Sequence, residues 1–180
     1  MVGQFPTRSD PVTSLEVTVV AAGRKLYYAP AWTSEIHVFD LNGHLQSIIR
    51  SADRPEQISA AEVEQRLGRT IPKNVTDAER SIRMARLRRL PHSPTWPAYG
   101  RVHVDKLGRL WVADYRRGLE VPNGWSAFDA EGKLLGRLVV GEQMEVIAFG
   151  ANDVLLRRRD ADGAAHLAVY EIIEGKTDAR

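Results

Sequence analysis

Between Gly100 and Val140 the chain twice runs from a short apolar segment through Asp-x-x-Gly into another short apolar segment, and that pattern narrows the fold sharply. Arg101–Asp105 passes through Lys106-Leu-Gly108 into Arg109–Asp114, and Gly124–Asp129 passes through Ala130-Glu-Gly132 into Lys133–Val140. An Asp at the start of such a turn can fold its carboxylate onto backbone N–H groups. A Gly three residues later tolerates positive φ, so the two together specify a tight hairpin. β-branched and aromatic residues dominate between the turns, as strands prefer. The stretch reads as four strands in sequence.

The rest of the chain varies this unit. Ser14–Ala22 closes at Gly23 and returns as Lys25–Ala29, and Glu35–Asp40 turns through Leu41-Asn-Gly43 into His44–Arg50. Phe-Asp-x-x-Gly-x-Leu occurs at Phe39–Leu45 and again at Phe128–Leu134. A third group has three strands, Glu142–Phe149, Asp153–Arg158 and His166–Ile173, with a turn at Asp160-Ala-Asp-Gly163. Val2–Pro6 reads as one spare edge strand. The whole of 1–180 is expected to be a single unit.

Residues 51–98 interrupt the strands and are expected to form a helical insertion. Ser59 with Glu62, and Thr76 with Glu79, each fit a capping box, in which a Ser or Thr precedes a Glu by three positions. The first box predicts a helix ending near Gly68. The second predicts a helix through Leu90, with Ile82, Met84, Ala85, Leu87 and Leu90 on a loose apolar face and Pro91 as its stop. Pro91, Pro94 and Pro97 then make an extended connector. Arg80, Arg83, Arg86, Arg88 and Arg89 make the second helix basic, while Glu56, Glu62, Glu64, Asp77 and Glu79 stand ready to pair with them.

Composition excludes several chemistries. With no Cys among 180 residues, there is no disulfide, thiolate metal site or cysteine nucleophile. The five His residues show neither H-x-x-x-H nor H-E-x-x-H spacing, and neither G-x-S-x-G nor a phosphate-binding Gly-rich loop occurs. No catalytic residue, cofactor or metal is expected. A formal net charge of +2 gives no expectation of a nucleic-acid partner. No apolar run is long enough for a membrane span, and Met1–Pro6 lacks the pattern of a signal peptide. Asp40, Asp105 and Asp129 stand in identical turn contexts and are expected to cap hairpins rather than bind metal. Trp111, His37 and His103 are expected to pack between neighbouring sheets.

The run Val104-Asp-Lys-Leu-Gly-Arg-Leu-Trp-Val112, with Phe-Asp-x-x-Gly-x-Leu, resembles the six-bladed β-propellers of the NHL-repeat kind, and uncharacterised bacterial members above all. The resemblance covers residues 14–50 and 99–173. It implies an all-β fold of about three four-stranded blades, half of a six-bladed propeller, with a small α-helical insertion. It also implies either a piece of a longer protein, extracytoplasmic if an N-terminal part precedes it, or a homodimer closing a six-bladed ring, with Val2–Pro6 of one copy beside His166–Ile173 of the other. Related gluconolactonase-like propellers hold a metal with Glu, Asn and Asp in the channel, and no such set maps onto this chain.

Strand alternation puts the Asp-x-x-Gly turns of the first two groups and Gly23 at one end of the sheets. The remaining loops and the insertion lie at the other end, where binding residues are to be sought. Trp32, Tyr115, Arg116, Arg117, Arg158 and Arg159 are the candidates. Guanidinium groups beside aromatics suit a protein, a peptide or an anionic small ligand. A non-enzymatic binding module is the leading expectation. A lactonase-like hydrolase or lyase with a metal in the channel is one alternative, and a structural half with no site of its own is the other.

Overall fold

The computed structural model describes residues 17–30, 32–50, 55–117, 121–160 and 162–173. The strand expected at Val2–Pro6 lies outside them. The fold is all-β, with three antiparallel sheets and two short helices. In the first sheet, β1 (Val17–Ala22), β2 (Lys25–Pro30), β3 (Glu35–Asp40) and β4 (Leu45–Arg50) pair in chain order. The second repeats this with β5 (Val102–Val104), β6 (Leu110–Ala113), β7 (Gly124–Phe128) and β8 (Leu134–Val139). The third holds β9 (Met144–Phe149), β10 (Asp153–Arg159) and β11 (Ala165–Glu171).

Four turns share one geometry. The carboxylates of Asp40, Asp105, Asp129 and Asp160 each accept from the backbone N–H groups two and four residues on, at 2.8–3.1 Å. The Gly three residues on from each Asp has φ between 80° and 86°, where other residues are strained. The two Phe-Asp-x-x-Gly-x-Leu segments also share a bulge. Pairing slips by one residue just before Phe39 and just before Phe128, so that Phe39 faces Leu45 and Phe128 faces Leu134. The sequence repeat is therefore a repeat of hairpin geometry.

The second sheet is covered on both faces. Val102, Leu110 and the half-buried Val104, Val112 and Phe128 join a core with Tyr27, Ile36, Val38 and Ile49 of the first sheet. Trp111, Ala113, Trp125 and Ala127 join Val146, Phe149, Val154 and Leu156 of the third. Successive residues of β6 thus serve opposite cores, which is why its sequence reads as continuous apolar rather than alternating. Tyr99 locks the first two sheets by donating its hydroxyl to the Glu35 carbonyl at 3.2 Å, and burial pushes its pKa up. The first strands line up: β5 lies against both β1 and β9. Of the third sheet, β11 is exposed along its whole length, with Leu167 64% and Val169 67% accessible.

His103 packs where expected, edge-on to Trp125 at 5.3 Å and to Phe149 at 6.0 Å. His37 does not. It pairs with Tyr28 in the ladder, on the face of the first sheet turned away from the second, and bonds Glu35 at 3.2 Å. Burial, helped by Arg101, holds the His103 pKa below its ordinary value of 6.5. The unfolded chain therefore binds a proton that the folded chain resists. The resulting stability is full above pH 6.5 and fades as pH falls toward the folded-state pKa. We expect His103→Gln to flatten the loss of melting temperature between pH 7 and pH 5, measured against the parent. An unchanged slope would assign that loss to other groups.

The insertion is stapled shut at its base. Gln57 bridges Thr95, Ile58 N–H donates to the Pro94 carbonyl at 2.9 Å, and Trp96 N–H to the Glu56 carbonyl at 2.8 Å. Helices α1 (Ala60–Thr70) and α2 (Asp77–Leu87) start at Ser59 and Thr76 with both capping boxes formed. Arg88 grips Glu64 through two bonds of 2.7 and 2.8 Å, one of the pairings the charge pattern suggested. The second helix differs from expectation in two ways. It ends at Leu87, because the last turn tightens onto the carbonyls of Arg86 and Leu87 before Pro91 is reached. Its apolar positions also do not share a face: Ile82 is 71% exposed while Met84 and Leu87 are half-buried.

Candidate functional site

The loop between β6 and β7 meets both ends of the insertion in a cleft of about 300 Å³. Trp96, within the proline-rich connector, is 4% exposed and forms the centre of the cluster. Tyr115 stacks on it with ring centroids 5.9 Å apart and planes 25° apart. Arg66 of α1 and Arg117 lie over its ring at 4.7 and 5.2 Å, within cation–π range. The Trp96 Nε1–H is buried and finds no acceptor among the described residues. A buried donor left in that condition calls for an explanation.

Two arginines held in ion pairs flank the aromatic pair. Arg117 bonds Glu56 at the base of the insertion and also Glu62 of α1, at 3.1 Å to the latter. The Glu56 carboxylate raises the Arg117 pKa, and the Ser59 cap holds Glu62 below the usual carboxylate range. Across the cleft, Arg137 of β8 pairs with Asp114. That pair crosses directly over Gly124, where a Cβ would collide with both side chains. Glycine is the residue this contact requires.

The candidates from the sequence divide among three places. Tyr115 and Arg117 line the cleft, and Arg116 lies half-buried between them in the chain. Arg159 lines a second recess of about 400 Å³ with Arg157, Glu142, Glu145 and Asp160, and Arg158 is exposed beside it on β10. There Glu145 bridges Arg101 and Arg157, and those two guanidinium groups, Arg101 first, keep its pKa low. Trp32 joins neither place; it packs half-buried against the core of the first sheet.

Sequence reasoning missed Trp96, Arg66, Glu56, Asp114 and Arg137. Only Trp96 carried a signal, as a large aromatic set between Pro94 and Pro97 in a connector that needs none. Asp40, Asp105 and Asp129 are turn caps, as their context predicted. Among the described residues no group of three or more His, Asp or Glu is placed to hold a metal ion, and no helix is long and apolar enough to cross a membrane. No protein-family model matches the chain, and no curated protein matches it.

Proposed function

We propose that the three sheets are blades of a propeller of the NHL-repeat kind and that the chain is a non-enzymatic module binding an extended polypeptide at the insert-bearing end. What supports the blade reading is the alignment of β1, β5 and β9, the first strands of successive four-stranded or three-stranded meanders, side by side. Such an arrangement is expected where strands surround a common axis. The observation that carries the binding reading is the cleft at Trp96 and Tyr115. It combines rigid aromatic area with two arginines held by carboxylates at its margins. Aromatic and arginine residues of this kind are the usual anchors of protein recognition. Paired charges of both signs at the rim favour a zwitterionic chain over a simple anion.

Display of random twelve-residue peptides on the full chain, with counter-selection on Tyr115→Ala, tests the reading. Selected peptides should bind the parent at micromolar Kd and lose roughly tenfold or more with Tyr115→Ala, the loss of one anchor contact. Peptides that bind both proteins equally, or no enrichment over several rounds, would reject this cleft as the binding site.

A further inference from the structure

At the opposite end of the sheets, the β1–β2 and β5–β6 turns face each other across a recess of about 370 Å³. That volume falls in the lower part of the small-molecule range of roughly 300–1,000 Å³. Its walls are apolar, from Tyr27, Val104 and Leu107, and Arg24, Lys25 and Lys106 supply its charge. We propose that this recess binds a small organic phosphate, with the phosphoryl group among the three cations and an apolar body against Leu107 and Val104.

The recess carries positive charge that the described residues leave uncompensated. Arg24 and Lys106 make no ion pair with any described residue. Lys25 donates to the Ala130 carbonyl at 3.2 Å, a contact that fixes its position without neutralising it. Asp105 is the single carboxylate lining the recess, and its side chain is wholly buried. Its oxygens are taken by the N–H groups of Leu107 and Arg109, by Arg109 Nε at 2.6 Å and by Trp111 Nε1 at 2.9 Å. Asp40 stands across the ladder from Lys25 but is engaged in its own turn by Asn42 and His44. Three cations gathered around a concave recess focus a positive potential that a multiply charged anion relieves. The geometry of the turns leaves room for it. Gly23 and Gly108, both at positive φ, line the recess, and nothing approaches within 4 Å of where a Cβ would stand on either. Phosphate is favoured over a single carboxylate because its charge and three oxygens can engage several cations together. Arg and Lys side chains are common binders of phosphate.

The recess shares no lining residue with the insert-bearing cleft. Thermal melts of the full chain should be run with phenyl phosphate, with inorganic phosphate, with a short single-stranded oligonucleotide and with sodium chloride at matched ionic strength. Phenyl phosphate should raise the melting temperature with dose, and inorganic phosphate should do so more weakly. Arg24→Ala and Lys106→Ala should each weaken phenyl phosphate roughly tenfold, as loss of a charge-assisted bond does. Leu107→Ala should weaken phenyl phosphate and leave inorganic phosphate unchanged. Arg24 and Lys106 are exposed turn residues, so the variants should melt with the parent when no ligand is added. In amide-resolved spectra the shifts should centre on Gly23 and Gly108. A rise no greater than chloride gives, or one that survives the Arg24→Ala, Lys106→Ala double variant, would overturn the proposal. So would a response confined to a short single-stranded oligonucleotide, which would make the surface a nucleic-acid contact instead.

Discussion

Trp111→Ala is expected to destabilise the protein by about 3–5 kcal/mol, the range for truncating a buried large aromatic. Trp111 is 4% exposed and stacks on Phe149 with centroids 4.2 Å apart and planes 7° apart. It therefore joins β6 of the second sheet to β9 of the third. Trp125 stands edge-on to the same Phe149 at 5.2 Å, and Arg109 lies over Trp111 at 5.6 Å. Removing the indole leaves a cavity in the middle of the second core rather than at its margin. For a chain of this size the loss corresponds to a fall in melting temperature of roughly 10 °C or more. Trp111→Phe should retain most of the stack and lose chiefly the indole bond to Asp105, about 1–2 kcal/mol. Calorimetric melts separate these cases. A Trp111→Ala protein melting within 2–3 °C of the parent would show that the sheets are held together elsewhere, since that shift amounts to only about 1 kcal/mol.

Asp105→Ala should be of similar size, although it removes only a turn residue. Its side chain has no solvent exposure and serves four donors: two backbone N–H groups, Arg109 and Trp111. Arg109 in turn reaches the Ala151 carbonyl in the β9–β10 turn, so the carboxylate orients a link between the second and third sheets. Without it a mostly buried guanidinium loses its counter-charge and an indole N–H its acceptor. Breaking a buried pair from one side costs about 3–5 kcal/mol. Asp129 provides the control, because among the described residues it caps the equivalent exposed hairpin through Glu131 and Lys133 N–H alone. Asp129→Ala should cost about 1 kcal/mol. Urea unfolding of both variants tests the contrast. Equal midpoints would mean that Asp105 is no more than a turn cap.

These two carboxylates mark the limit of what local sequence reveals. In the sequence their contexts are alike, and both were readable as hairpin caps because the bonds involved span at most four residues. The same holds for the capping boxes at Ser59 and Thr76, the positive-φ glycines and the order of strands within each sheet. All depend on contacts that the neighbouring residues supply themselves.

What joins the sheets is of another kind. That Leu110 belongs to the first core and Trp111 to the second follows from which sheet lies on either side, and the apolar run itself is indifferent. Ile82 looked like a core position of α2, but the face that packs was chosen by Met84 against Gly68 of α1. The candidate site shows the difference most clearly. Tyr115 and Arg117 are visible as an aromatic and a cation on a long loop, whereas Trp32 has the same appearance and packs half-buried against the core of the first sheet. The partners that make a cleft of Tyr115 and Arg117 are Trp96, Glu56 and Glu62, and Arg117 lies 55 residues from Glu62. Closing such distances has an entropic cost that only the assembled sheets and the stapled base of the insertion offset. The sequence by itself therefore determined the hairpins, the helices and their order. Only the tertiary structure decided which faces are buried and which distant side chains meet, because those contacts exist only once the sheets have stacked.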